Sequence, residues 1–483
     1  MSEATVELDL PSAALSHLLR LPAIARNRAG RAQSRDVRIV WHDTAAAELA
    51  ADGLALAEQG RRWRLERLRP NGAGSWPPAT PAPVLAEAET AAELHSPGDL
   101  VPVAAFHGRE RTLRLAPAPM TIRVLEGVLR TVASEAPCCR VRLCGEAASI
   151  AALAEQLAAD APLAVPREGL AAAALAMARG EAPAHRLGAP QVTEAMTVSD
   201  ALAAIIGHLT DVIAHFAPAA AAGDTQGVHQ MRVAVRRLRT ALSVFRRVAD
   251  CPELRAAGAE SKLLASTLGA ARDWDVFLAE TAPPIVAAFP GDRRLDAMLG
   301  AAGRRRREAH AAVRGHLTDD RFRRLLLTLA ALVLLCPWSA VEEADRIALL
   351  AGPVADFAAQ RLGRWRERLL SESEAIEELP PHALHEVRKC AKKLRYACGF
   401  FEPLYSGKAV RRFARQLSRW QDELGALNDA ATASALAAHL GGGADRAFAI
   451  GAVQGFLAAR AARARGALAD RRETWKRQTP FWR

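Results

Sequence analysis

The chain has 483 residues, half of them hydrophobic and 24% charged, which suffices for two or three domains with buried cores and excludes a disordered chain. The formal charge is +11. Positions 1–200 hold 21 basic and 23 acidic residues and the other 283 hold 43 and 30, so the whole excess lies C-terminally and a polyanionic partner belongs there.

All six lysines (Lys262, Lys389, Lys392, Lys393, Lys408 and Lys476) lie in that part. The first 261 residues therefore offer no lysine amine chemistry. The seven cysteines include a cluster at Cys138, Cys139 and Cys144, but no second CxxC or histidine pair answers it. Free thiols in a reducing cytoplasm are expected, with no zinc site. The opening MSEATVELDLPS is acidic and polar, unlike a signal peptide. Leu325 to Cys336, the longest mostly apolar run, is too short to cross a bilayer. A cytoplasmic protein with no membrane partner is the expectation.

In chain order, Val6–Leu10 alternates with period two, as a half-buried strand does. Asp36–Thr44 and Arg61–Arg69 follow as strands. The five prolines of residues 70–83 mark a loop. Leu100–Ala105, Thr112–Leu115, Thr121–Val124 and Arg140–Leu143 are further strands, and Ala147–Asp160 and Gly169–Arg179 are Ala-rich helices. Residues 1–180 thus read as an antiparallel β-rich domain and 181–198 as a linker. From Ser199 the chain is helical almost throughout, with breaks near Pro218–Gly223, Pro283–Pro284, Pro290–Gly291, Pro337 and Pro380–Pro381. The helical domain is assigned to 199–470 and a tail to 471–483.

An internal repeat organises this half. VHQMRVAVRRLRTALSVF (228–245) matches LHEVRKCAKKLRYACGFF (384–401) at an offset of 156 residues. The same offset aligns Leu268-Gly269 with Leu424-Gly425 and Asp273 with Asp429. Two copies of one bundle unit about a pseudo-two-fold axis are implied. His229, Arg232, Arg236 and Arg239 recur at i, i+3, i+7 and i+10, which keeps them within an arc of about 80° along about 15 Å of helix. His385, Arg388, Lys392 and Arg395 do the same, with Arg237 and Lys393 alongside. A second stripe runs through Lys408, Arg412, Arg415 and Arg419. One basic run is most often a solvated face. The whole pattern occurring twice, against like-charge repulsion, points to a bound anion. Arginine grips phosphate bidentately, lysine acts as a point charge, and histidine adds a pH-dependent donor. Asp273 and Asp429 read as buttresses for arginines on neighbouring helices.

These segments, with LGAARDWDV and LGALNDA, resemble the CHAD family over about residues 199–470. The resemblance implies two four-helix bundles in pseudo-two-fold arrangement. It also implies a basic pocket for inorganic polyphosphate and association with polyphosphate granules in bacteria. The pocket residues carried over are His229, Arg232, Arg236, Arg237, Arg239, His385, Arg388, Lys392, Lys393 and Arg395, joined by Arg412, Arg415 and Arg419. The N-terminal part (VELDL, VWHDTAAAELAADGLALAEQGRRW, CCRVRLCGEAASIAALAEQLA) resembles a CYTH domain of the triphosphate tunnel metalloenzymes. That implies an antiparallel β-barrel around a triphosphate and a divalent metal. The family's Glu-x-Glu-x-Lys strand reads Glu7, Asp9 and Pro11 here, and a later strand that normally carries acidic ligands offers Arg140 and Arg142. The fold class implied is multi-domain α+β, a barrel-like antiparallel domain followed by an all-α domain.

No P-loop, HExxH or GxSxG motif occurs. The leading expectation is polyphosphate binding without catalysis and without a cofactor. Two alternatives stay open: a metal-dependent triphosphatase using Glu7, Asp9 and Mg²⁺, and a nucleic-acid binder, for which Tyr396 is the main stacking candidate. Protonation of His229 and His385 is expected to strengthen anion binding below about pH 6.5. The oligomeric state is not legible in the sequence.

Overall fold

The structure is a computed structural model that describes residues 3–68, 80–94, 99–180, 190–405, 407–440 and 444–482. Most of the expected proline-rich loop and half of the expected linker lie outside these residues. The chain divides into two compact units. The first holds 1–191, 206–215 and 319–337; the second holds 192–205, 216–318 and 338–483.

Eight strands build the first unit: β1 (Glu3–Asp9), β2 (Gln33–Thr44), β3 (Leu54–Gln59), β4 (Arg62–Arg67), β5 (Val84–Ala88), β6 (Leu100–Leu115), β7 (Met120–Arg130) and β8 (Glu135–Glu146). They pair antiparallel throughout in the order β1-β8-β7-β6-β2-β3-β4-β5. The sheet curls as a half-barrel, with β1 and β5 as its edges. The two strands expected at Leu100–Ala105 and Thr112–Leu115 are one long strand. β3 (LALAEQ) and β5 (VLAEA) were not predicted, because leucine, alanine and glutamate favour helix. Pairing with β4 on either side overrides that preference.

Three single-turn helices, α1 (Leu15–Leu18), α2 (Pro22–Ala25) and α3 (Glu48–Ala51), link the early strands. α4 (Ala147–Asp160) lies against β1 and β8, where Leu8, Val141 and Leu143 are buried. α5 (Leu170–Arg179) covers the opposite face. There Leu170, Ala171, Ala174 and Leu175 share a core with Val37, Ile39, Trp41, Phe106 and Leu129. Gly108 and Gly127 pair directly across β6 and β7. A Cβ on Gly127 would meet the His107 carbonyl oxygen at 2.2 Å and the Phe106 ring at 2.8 Å. Only glycine lets that ring lie over the strand pair.

The second unit is helical. α6 (Val198–Ala221), α7 (Thr225–Phe245) and α8 (Pro252–Val276) are followed by a π-helical turn (Phe277–Thr281), α9 (Ala282–Ala288) and α10 (Arg293–Thr318). α11 (Asp320–Leu335) belongs to the first unit, where Arg323 Nη1 donates to the carbonyl oxygens of Ala158, Ala161 and Leu163. These include orphan acceptors at the α4 C-terminus. α12 (Ala344–Ala351), α13 (Val354–Glu372), α14 (Pro381–Phe401), α15 (Lys408–His439) and α16 (Ala444–Lys476) complete the chain.

The 156-residue offset governs the helix boundaries. It carries the starts of α6, α7 and α8 onto the starts of α13, α14 and α15, and the end of α7 onto the end of α14. α10 falls within α16. The copies differ at the π-turn, because α15 stays α-helical through the equivalent residues 433–437 and ends at His439, the equivalent of Pro283. Reciprocal contacts mark the axis. The Val198 amide donates to the Gly352 carbonyl at 3.0 Å, and the Val354 amide donates to the Met196 carbonyl at 3.1 Å. Phe245 meets its own counterpart, Phe401, at 6.2 Å between ring centroids.

α6 is long and apolar enough to cross a membrane, but 61% of that stretch is buried, as in a core helix. Residues 471–483 are not a loose tail: α16 continues to Lys476, and Trp482 is buried against Phe413.

Candidate functional site

α7 buries Val228, Met231, Val235, Leu238 and Phe245. Its other face is strongly basic, and the same division holds on α14, where Val387, Ala391, Leu394 and Phe401 are buried. The apolar rows fix the rotation of both helices, so the basic rows are set by packing rather than by their own interactions.

α7 and α14 are in contact. Arg232 and Arg236 from one and Arg388 and Lys392 from the other form a single cluster, all four half-buried. Burial, followed by the charges of Arg236, Arg388 and Arg232, pushes the Lys392 ammonium down to about 6. Burial, with Arg236 and Arg232 adding to it and Asp429 opposing it, also holds Arg388 below its ordinary range. Burial and neighbouring cations weaken the charged forms of Arg232, Arg388 and Lys392, a cost that a bound anion would relieve.

Two carboxylates enter the cluster, one from each repeat. Asp273 on α8 lies 3.5 Å from Arg232 Nη2, and Asp429 on α15 lies 3.2 Å from Arg388 Nη2. The pairs are equivalent at offset 156, as the sequence suggested. Burial raises the Asp273 carboxyl above its ordinary value, Arg232 opposes this, and Asp429 adds to it. The two aspartates are therefore neighbours near the axis. Arg388 Nε and Arg395 Nε are buried and have no hydrogen-bond partner among the described residues.

The remaining predicted residues separate into groups. His229 is half-buried beside the cluster, and its Nδ1 has no partner among the described residues. Burial, then Arg272, Arg232 and Arg236, push its pKa below the ordinary histidine value. Its charging therefore falls below the pH window expected from sequence. Arg237 lies over the Phe400 ring at 5.6 Å, and Arg395 over the Tyr396 ring at 5.3 Å. Arg239, His385, Lys393, Arg412, Arg415 and Arg419 are exposed. Arg272 was missed: its counterpart at offset 156 is Asn428, so no repeat signal flags it.

Glu7 and Asp9 stand differently. Glu7 is 2% exposed, with one carboxylate oxygen 3.0 Å from Arg140 Nη1 and the other bonded to Arg142 Nε. Arg140 Nε is 2.7 Å from Asp9. These carboxylates are taken by guanidinium groups. Among the described residues no group of three or more histidine, cysteine or acidic side chains is placed to hold a metal. A hard divalent ion needs several free oxygens, so the weak metal candidates do not fit one.

Comparison with known proteins agrees with the helical half. The family model described as the CHAD domain matches residues 203–438. The crystal structure of the CHAD domain from the plant Ricinus communis is 30% identical, with a TM-score of 0.51, over 60% of this chain and 97% of that one. PptA from Streptomyces chartreusis is 16% identical, with a TM-score of 0.45, over 58% of this chain and 100% of that one. HpAC1 from Hippeastrum, to which a dominant triphosphatase activity is ascribed, is 14% identical, with a TM-score of 0.27, over 38% of this chain and 98% of that one. No curated protein matches the chain.

Proposed function

Because the chain belongs to the CHAD-domain family, we propose that its helical unit binds inorganic polyphosphate at the α7–α14 cluster, without cleaving it. One observation carries the reading. Equivalent helices of the two repeats bring Arg232, Arg236, Arg388 and Lys392 together on the pseudo-two-fold axis, where two carboxylates face four cations. A linear, repeating anion suits such a site, since phosphates can meet both repeats with the same contacts. Arginine forks supply direction and Lys392 supplies a point charge. Arg239, His385, Lys393, Arg412, Arg415 and Arg419 form the exposed approaches, and Arg237, Arg395 and His229 flank the cluster. Asp273 and Asp429 orient Arg232 and Arg388 and are not free to act as bases, which favours binding over hydrolysis. The protein would act in the cytoplasm, on polyphosphate granules, and the N-terminal sheet would serve as a scaffold.

The test is competition. Full-length protein saturated with long-chain polyphosphate is challenged with single-stranded DNA of equal total charge at two salt concentrations. Retention of polyphosphate supports a shaped phosphate site. Equal displacement by DNA reduces the cluster to a general polyanion surface.

A further inference from the structure

We propose that a cavity beyond the cluster, between α14, the start of α15 and the C-terminal aromatic residues, binds a nucleoside phosphate. Its volume is about 350 Å³, within the range of small-ligand sites and close to its lower end.

The lining divides by chemistry. Val410, Leu417, Cys398 and the Phe481 ring make an apolar wall, and Arg395, Arg415, Ser418 and Glu402 supply the polar groups. Phe481 is held edge-on by Tyr405, Phe413 and Trp482, at 5.1, 5.5 and 4.8 Å between centroids. Arg395 is braced over Tyr396, yet its buried Nε has no partner among the described residues. A fixed aromatic ring lining one cavity with two arginines suits a flat ring that carries a phosphate. The ring would pack on Phe481, which accepts any base because every base has a π-face. The phosphate would take the arginine forks. Glu402 disfavours a long polyphosphate tail and accepts hydrogen bonds from a sugar hydroxyl or ring amine.

Bare phosphate has no use for the apolar wall. The cavity also breaks the pseudo-symmetry that the axial cluster obeys. At offset 156, Arg415 corresponds to Ala259 and Ser418 to Lys262, and Phe481 comes from the C-terminal end of the chain. The cavity therefore shares Arg395 and Arg415 with the approaches to the symmetric site but is walled by Phe481, which has no counterpart there, and the proposal does not depend on the polyphosphate reading.

The experiment is calorimetric titration of the full-length protein with AMP, GMP, ADP, pyrophosphate and inorganic phosphate. We expect the nucleotides to bind, with Phe481→Ala and Arg415→Ala each weakening them by on the order of tenfold. Inorganic phosphate should bind more weakly by a similar factor. Arg236→Ala/Lys392→Ala should leave nucleotide binding unchanged, which separates this site from the axial cluster. Arg415 is exposed, so its variant tests the site even if Phe481→Ala fails to fold. No nucleotide binding, binding indifferent to Arg415→Ala, or pyrophosphate binding as tightly as ADP would overturn the proposal.

Discussion

Lys392 should couple polyphosphate binding to proton uptake. In the free protein its pKa lies at about 6 against an ordinary 10.5, so at neutral pH the side chain is mostly neutral. A polyanion against it favours the ammonium and restores the pKa. Between the free and bound values each complex takes up nearly one proton, and affinity falls about tenfold per pH unit. Full restoration makes binding about 50-fold tighter at pH 6 than at pH 8. His229 does not account for this span, because its pKa is pushed down rather than up. The sign for folding is opposite. The unfolded chain binds the proton at pH values where the folded one does not, so the Lys392 contribution to stability grows as pH rises from about 6 toward 10.5 and is least below about 6. The assay is titration with long-chain polyphosphate in buffers of different ionisation enthalpy at both pH values, for wild type and Lys392→Arg. Arginine keeps its charge, so the variant should lose most of the pH dependence and of the buffer-dependent heat. A wild type flat between those pH values, or a Lys392→Arg variant as steep as wild type, would refute the reasoning.

Three further outcomes are expected. Arg232→Ala and Arg388→Ala occupy equivalent places and should weaken polyphosphate binding to within about threefold of each other, each lowering the salt slope by about one; salt-series titrations check this. Glu7→Gln leaves Arg140 and Arg142 without their shared carboxylate and should cost the first unit about 3 kcal/mol in urea unfolding, with polyphosphate affinity unchanged. Gly127→Ala places a methyl group 2.6 Å from the Gly108 Cα and should destabilise the β6–β7 pairing by about 1–3 kcal/mol, read as a lower melting temperature of the sheet unit.

The helical half was legible because a repeat supplies its own control. One basic stripe on α7 could be a solvated face, whereas the same stripe at 384–395 fixed both the unit and the candidate residues. Proline and glycine mark the helix ends near Pro290, Pro337 and Pro380, but Pro218 lies inside α6, and the break expected at Pro283–Pro284 is absent, since helix runs on from α8 through the π-turn into α9. What the stripe could not show was depth. Arg239 and Lys393 share the pattern with Arg236 and Lys392, yet the first pair is exposed and the second half-buried. The rotation of each helix against its neighbours decides that. Arg272 and Phe481 were illegible for a different reason, since no repeat partner marks either position. In the sheet, alternation found the strands with β-branched residues and missed β3 and β5, whose alanine and leucine are strand only because β4 pairs with them. The arginines at 140 and 142, where the resemblance implies acidic residues, were visible in sequence. That they clasp Glu7 and Asp9 was not, because register sets it: Glu7 opposes Arg142 and Asp9 opposes Arg140.

The most direct measurement of the central claim is polyphosphate affinity at about pH 6, where Lys392 of the free protein is about half charged, for wild type and Arg236→Ala/Lys392→Ala. The two replaced groups come from different repeats and meet only at the axis. The account predicts a loss on the order of 100-fold with a melting temperature no lower than wild type, since two charge-assisted contacts are removed from a site whose packing rests on other residues and whose clustered cations carry a cost. A double variant that folds and binds polyphosphate like wild type would contradict it.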